Sequence, residues 1–396
     1  VQGEPPFIAR AMRAAREDLG ARAWAVRAIA GLGLAAGVSL SAGVWRSVRA
    51  YPTLPVLPFA LPLPPAIDGA VPAVLAILAV VAALAPARRA AVIAAIAPLV
   101  ALLAFDQQRW QPWALDYVLI LSSFAQRAPA GAGDRVLGPC RFVVASFYVW
   151  SGIQKLNATF AASVFPRMFP AAAAHLPAWA WILAPAVEIA VGAGLVVPRT
   201  RNAAVVLAVA MHAAILAALG PLGLDYNRVV WPWNVARALL CVALFWRTPG
   251  AGVAEVVPLR QGAFGRFVVV ACGVMPALCF LGAWDLYLSA GVYSGEEVSA
   301  SWELSPAARA ALPDLPRAHV HGAPPRLGLQ EWALAELGVP PYPEERVAIG
   351  VGRAVCALAG EARARGVTLV LRGRPSRLTG AREERRATCA ELGPGP

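Results

Sequence analysis

Lysine is almost absent from this chain. Lys155 stands alone among 35 basic residues, the other 34 being arginine. Charge of either sign is scarce: 15% of the 396 residues are charged and 59% are apolar, where soluble domains carry roughly 25% charge. A soluble domain this apolar would have too little polar surface to stay in solution, so that class is excluded. Cysteine is sparse as well. The six cysteines form no CxxC pair, so their spacing carries no metal or dithiol motif. No internal repeat is evident, which argues against a transporter built from two related halves.

What the chain does have is long apolar runs. These are expected to cross a membrane over residues 24–44, 69–85, 90–105, 113–124, 137–153, 178–197, 203–219, 229–246 and 266–290, an ideal span needing about 20 residues. Pro52, Pro55, Pro58, Pro62, Pro64 and Pro65 separate the first two runs, in a connection that cannot be regular helix. The net charge of +12 does not point to nucleic acid, because the arginines sit in short loops between apolar runs. One set of loops holds Arg88, Arg89, Arg127, Arg135, Arg141, Arg199, Arg201, Arg247 and Arg260, on the side of the N-terminal Arg10, Arg13, Arg16, Arg22 and Arg27. The other set holds Arg46, Arg49, Arg109, Lys155, Arg167 and Arg228. The richer side is cytoplasmic. The N-terminal cluster is longer than the charged region of a signal peptide, so the first run is expected to remain uncleaved.

The expected fold is therefore an all-α polytopic bundle in the cell (plasma or inner) membrane. It has about nine transmembrane helices over residues 24–290, a basic cytoplasmic N-terminus (1–23) and a small extracytoplasmic α+β domain (291–396). In that last part Val298, Ala300, Trp302 and Leu304 alternate with Glu297, Ser299, Ser301 and Glu303, a half-buried strand pattern. Leu329, Trp332 and Ala333 suggest a short helix ended by Pro340 and Pro341. Val347, Val351, Val355 and Leu358 stripe a second helix, and residues 367–371 read as another strand. Cys356 and Cys389 fall here, where an outer location permits a disulfide.

Ionisable groups inside spans are costly and mark functional sites by default. Lys155, Asp116, Glu188, His212, Asn234, Arg237 and Asp285, together with Asp106 and Arg109 before the fourth run and Asp225, Asn227 and Arg228 before the eighth, mostly fall toward the outer half of the membrane, which suggests one outward-facing cavity. Each has a second reading. Trp110, Trp113, Trp231 and Trp233 either wall a pocket or anchor the interface. Lys155 is either a reactive amine or a snorkelling helix-end lysine. His212 is a catalytic or a buried structural histidine. Asp116 and Arg237 form a structural ion pair more readily than a catalytic one. His319 and His321 would share a strand face, but no third metal ligand is visible.

The segment from Phe147 to Asn157, with Trp150, Gly152, Lys155 and Leu156, resembles a motif of the vitamin K-dependent γ-carboxylase-like (HTTM) membrane proteins. The stretch Asp106 to Trp113, the pair Met211 and His212, and Trp231 to Asn234 are similar to further elements of that family. A looser kinship to DoxX-type membrane proteins is also visible. The resemblance implies a multi-helix fold whose site opens at the outer face, with Lys155 as the base that deprotonates a quinol. Trp113 stands where the carboxylases have a histidine, and residues 291–396 replace a much larger lumenal domain, so protein glutamate carboxylation is not expected.

Two functions of different classes follow. In the first, a quinone or similar lipid-soluble substrate drawn from the bilayer meets Lys155 and His212 as catalytic groups. Asp116, Asn234, Arg237 and Trp110, Trp113, Trp231 and Trp233 would bind it. In the second, the chain is a non-catalytic scaffold or assembly partner that displays its C-terminal domain. A transporter ranks last.

Overall fold

The computed structural model describes residues 6–56, 63–85, 89–127, 133–248, 252–360 and 364–393. Pro58, Pro62, Arg88 and the side chains of Arg10, Arg13 and Arg16 lie outside the described residues. The apolar part is built from α1 (Pro6–Leu40), α2 (Pro65–Leu84), α3 (Arg89–Phe105), α4 (Pro112–Phe124), α5 (Gly133–Lys155), α6 (Leu183–Val196), α7 (Arg201–Leu219), α8 (Val230–Phe245) and α9 (Gly262–Val269). A 3-10 turn, Ala178–Ile182, leads into α6. A π turn, Val270–Val274, and a 3-10 turn, Met275–Leu281, extend α9.

Among the described residues, six helical stretches are long and apolar enough to cross a membrane: those of α1, α2, α5, α6, α7 and α9 with their extensions. Helices α3, α4 and α8 are apolar but have only 17, 13 and 16 residues. At about 1.5 Å per residue they fall short of a hydrocarbon core of roughly 30 Å. By length and apolarity, then, six of the nine expected runs are candidate spans among the described residues. Two boundaries also move. Helix α2 starts at Pro65 and not at residue 69, because a proline at the first helical position loses no hydrogen bond. The last span stops at Leu281, where Gly282 turns left-handed at φ +69° and its N–H bonds Cys279 O.

Helices α5, α6, α7 and α8 form a ring in which each packs on the next. Two glycines set the closest crossing. A Cβ at Gly152 of α5 would lie 2.6 Å from Pro185 O, and one at Gly192 of α6 would lie 2.7 Å from Ala145 O. Small residues on both faces let the backbones approach, as membrane helices require in the absence of a hydrophobic drive to associate. Helix α1 packs on α2, α4 and α8 and closes the other side.

The C-terminal part carries a five-stranded antiparallel sheet. Its strands are β1 (Ser299–Leu304), β2 (Val320–His321), β3 (Arg326–Gly328), β4 (Val367–Arg372) and β5 (Glu384–Thr388), in the order β2-β3-β1-β4-β5. Trp302 of the central strand pairs with Leu327 and Leu369 and is fully buried. It packs under α10 (Leu329–Leu337) and α11 (Glu345–Ala359), whose apolar faces follow the periodicity of the sequence. His319 follows a short helix, Asp314–Ala318, and stands outside β2, so the two histidines do not share a strand face.

This sheet unit is stitched to one end of the bundle. Trp332 of α10 stacks on Tyr51, with ring centroids 4.8 Å apart, and donates to Glu336 Oε2. The other Glu336 oxygen accepts from the N–H groups of Ala50 and Tyr51. Arg377 donates to Ile153 O and Leu156 O, tying the sheet unit to backbone carbonyls at the end of α5.

Cys356 on α11 and Cys389 form a disulfide that closes a separation of 33 residues, while Cys140, Cys241, Cys272 and Cys279 stay free. Alkylation of the denatured, unreduced protein should therefore label four of the six cysteines, and reduction should expose two more. Mass spectrometry reads the count directly; six labels before reduction would remove the bridge.

Candidate functional site

Helix α5 carries Ser151 and Lys155 four residues apart, hence on one face. The Lys155 amine donates to Ser151 Oγ at 2.6 Å and Ser151 O at 3.3 Å. It also meets Glu188 Oε2 of α6 at 3.0 Å. All three residues are buried. The pair forms because Gly152 and Gly192 bring α5 and α6 together one turn or less from each partner. Lys155 is thus the cationic half of an intramembrane ion pair, and each of its protons has a protein acceptor. The snorkelling alternative falls away, since the amine points at Glu188 and not at the interface.

A second buried pair lies beside the first. Arg237 of α8 donates to Asp116 Oδ2 of α4 at 2.8 Å and to Val144 O at 3.1 Å. Trp233 Nε1 donates to the same carboxylate oxygen at 3.1 Å. The guanidinium lies over the rings of Phe147 and Tyr148, 4.2 and 4.5 Å from their centroids, a favourable cation–π arrangement. His212 of α7 is held at both ring nitrogens. Nδ1 faces Asn234 Oδ1 at 2.7 Å and Nε2 faces Tyr148 Oη at 2.6 Å. Asn234 donates its amide N–H to Val230 O, which orients its oxygen toward the ring. The consistent assignment is a neutral imidazole with the proton on Nδ1, accepting the tyrosine hydroxyl at Nε2.

Lys155, His212, Trp233, Asn234 and Arg237 line one cavity of about 350 Å³ between α5, α6, α7 and α8. Asp116 stands behind Arg237, outside that lining. The remaining tryptophans are elsewhere. Trp113 is buried against Gly37 of α1 and the ring of Trp45, 6.1 Å away. Trp110 donates to Leu103 O and meets the ring of Tyr342. Trp231 donates to Leu219 O. The wall expected of these three is supplied instead by Phe147, Phe160, Phe165 and Phe169. Phe160, Phe165 and Phe169 belong to the 160–175 connection, which has no span-like length to draw notice in the sequence. Tyr148 and Ser151 were the other missed members, whereas Glu188 was among the polar residues expected there. The spacing of Ser151 from Lys155 was the available signal for one of them.

The Asp106 to Trp113 loop is a structural clasp. Asp106 accepts from Leu54 N and Gln108 N and pairs with Arg49; Arg109 donates to Val44 O, Trp45 O and Leu102 O. Asp285, beyond the end of the α9 segment, holds Arg346 and accepts from Tyr342 Oη at 2.6 Å. Burial pushes its carboxyl up, but hydrogen bonds from Arg346 and Tyr342 outweigh that and leave it below the usual carboxylate range. No group of three His, Cys, Asp or Glu is placed to hold a metal ion among the described residues.

Residues 133–229 match the family model of methylamine utilisation protein MauE. This stretch spans α5, α6 and α7, which supply three of the four helices around the cavity. It also contains the Phe147 to Asn157 segment and the Met211–His212 pair that carried the carboxylase-like resemblance. The resemblance to HTTM, carboxylase and DoxX-type proteins is therefore corrected: its main segment and the Met211–His212 pair fall in a MauE-like stretch, while Asp106 to Trp113 and Trp231 to Asn234 lie outside it. No curated protein and no solved structure matches the chain. With the MauE likeness and the apolar helices, the chain is a multi-pass integral membrane protein.

Proposed function

We propose that this chain is a non-catalytic membrane scaffold that presents its sheet unit, on the extracytoplasmic side, to another protein. The observation that carries the proposal is that each group first suspected of catalysis already has protein partners, with only Arg237 Nε and Asp116 Oδ1 left buried and unbonded among their atoms. Lys155 is spent on Ser151 and Glu188, Arg237 on Asp116 and Val144, and His212 on Tyr148 and Asn234. A general base needs a free lone pair within reach of a substrate proton. This arrangement offers structural pairing instead.

The junction between bundle and sheet supports the same reading. Besides Glu336 and Arg377, Gln108 Oε1 accepts from Tyr342 N, and Gln111 donates to Pro340 O. The sheet unit lies outside the MauE-like stretch, so it is the part that this chain adds to the shared helices. The outer placement rests on the poorer arginine content of the loops at its end of the bundle and on the Cys356–Cys389 bridge, which suits an oxidising compartment.

Lys155→Arg keeps the cation and its pairing with Glu188 but cannot be deprotonated. Cells relying on that variant should retain the wild-type phenotype, whereas Trp332→Ala should abolish it at equal membrane abundance. Complementation of a deletion strain tests both, and the reverse pattern would return Lys155 to a base and end the scaffold reading.

A further inference from the structure

The cavity itself has features that a scaffold does not need. Its mouth is lined by Leu176, Leu183 and Leu207, which are 48%, 49% and 37% exposed. Leu207 sits well inside α7, one of the membrane-length helices, so the opening faces sideways toward lipid chains and not along the bundle axis. The interior is apolar and roofed by Phe160, Phe165 and Phe169. Its volume of about 350 Å³ lies at the small end of the usual range for ligand sites, roughly 300–1,000 Å³. That suits one hydrocarbon chain and not a two-chain phospholipid.

The inner end is polar yet electrically balanced. Lys155 pairs with Glu188, and Arg237 with Asp116. An ionised head group would find no unpaired counter-charge there and would pay full desolvation. A neutral hydroxyl fits better. Glu188 binds Lys155 through Oε2 alone, which leaves Oε1 to accept a hydrogen bond. Ser151 Oγ accepts from Lys155, which leaves its own proton to donate. One acceptor and one donor on adjacent helices match the two hydrogen-bonding functions of an alcohol.

We propose that this cavity binds a neutral, single-chain, hydroxyl-headed lipid that enters from the bilayer, with its hydroxyl between Glu188 and Ser151 and its chain under the phenylalanine roof. The site stands independently of the scaffold role, since no residue of the sheet strands contributes to it.

The test is native mass spectrometry of the full-length protein, released from micelles containing oleyl alcohol, oleate or dioleoylphosphatidylglycerol as probes. One oleyl alcohol per chain is expected, with oleate about fiftyfold weaker because the same chain then carries an unpaired charge. Ala184→Trp fills the interior and Leu207→Trp plugs the exposed mouth. Each should weaken alcohol binding about tenfold or more. Leu239→Trp, on the exposed face of α8 and outside the lining, should not. Leu207→Trp adds its bulk at the exposed rim, so overpacking does not threaten the fold. Oleate or phosphatidylglycerol binding as tightly as the alcohol overturns the neutral head. Unchanged alcohol binding in both tryptophan variants overturns the location, and no alcohol adduct at saturation overturns the proposal entirely.

Discussion

Lys155→Met alone is expected to destabilise the bundle by about 3–5 kcal/mol, and Lys155→Met combined with Glu188→Met to recover most of that loss. The single change leaves Glu188, 8% exposed, with its cation gone beside an apolar cavity that offers it no unpaired counter-charge. The double change removes both charges and replaces them with flexible apolar side chains that suit the lining of the cavity. The sign of the cycle is the informative part. A pair whose role is structural costs much to break and little to replace, because the desolvation of both ions is relieved together. Equilibrium unfolding in mixed micelles gives the coupling energy. A single variant as stable as the wild type, or a double variant no better than the single one, would show that the 3.0 Å contact does not organise α5 and α6.

Trp332→Ala should cost a comparable 3–5 kcal/mol, but its effect falls at the junction and not within the membrane. The indole is fully buried, sits 4.8 Å from the Tyr51 ring and 6.5 Å from the Trp302 ring, and holds Glu336. Glu336 in turn accepts from the N–H groups of Ala50 and Tyr51. Removing the indole opens a cavity between the sheet unit and the bundle and frees the carboxylate that fixes the 46–56 connection. Protease should then cut that connection in the variant while the wild type resists. Glu336→Gln, which keeps one acceptor and the packing, should fall between the two. Equal resistance in wild type and Trp332→Ala would mean that Arg377 and the Gln108–Tyr342 contact hold the unit without Trp332.

Much of the fold was legible because burial in a membrane and burial in a sheet each impose a simple period. Continuous apolar runs marked the helices of the bundle. Strict alternation marked Val298 to Leu304, where Trp302 is buried and Ser299 exposed. A stripe at helical spacing marked α11. Length was the weak point. The short run at 113–124 was counted as a span all the same, and α4 is indeed only 13 residues long, the Asp106 clasp having consumed the residues before it. The site was legible only as a bias in depth. Polar residues of seven segments were expected to share an outer cavity, and Asp106, Arg109, Asp225, Asn227 and Arg228 stay outside its lining. Lys155, Glu188, His212, Asn234 and Arg237 do line it, Asp116 stands one layer behind, and Asp285 belongs to the junction.

From the sequence alone it followed that the chain lives in a bilayer, that its only lysine sits near the end of a span, and that a strand-and-helix unit comes after the bundle. Each of these is a property of a single segment, decided by hydropathy and period. The choice of Glu188 as the partner of Lys155, 33 residues away, belongs to tertiary structure alone. So do the pairing of Arg237 with Asp116 and the retreat of Trp110, Trp113 and Trp231 from the cavity. Partners across helices depend on how two cylinders are rotated and how closely they cross. That is set by where glycines on both helices coincide, and no pattern within one helix encodes it.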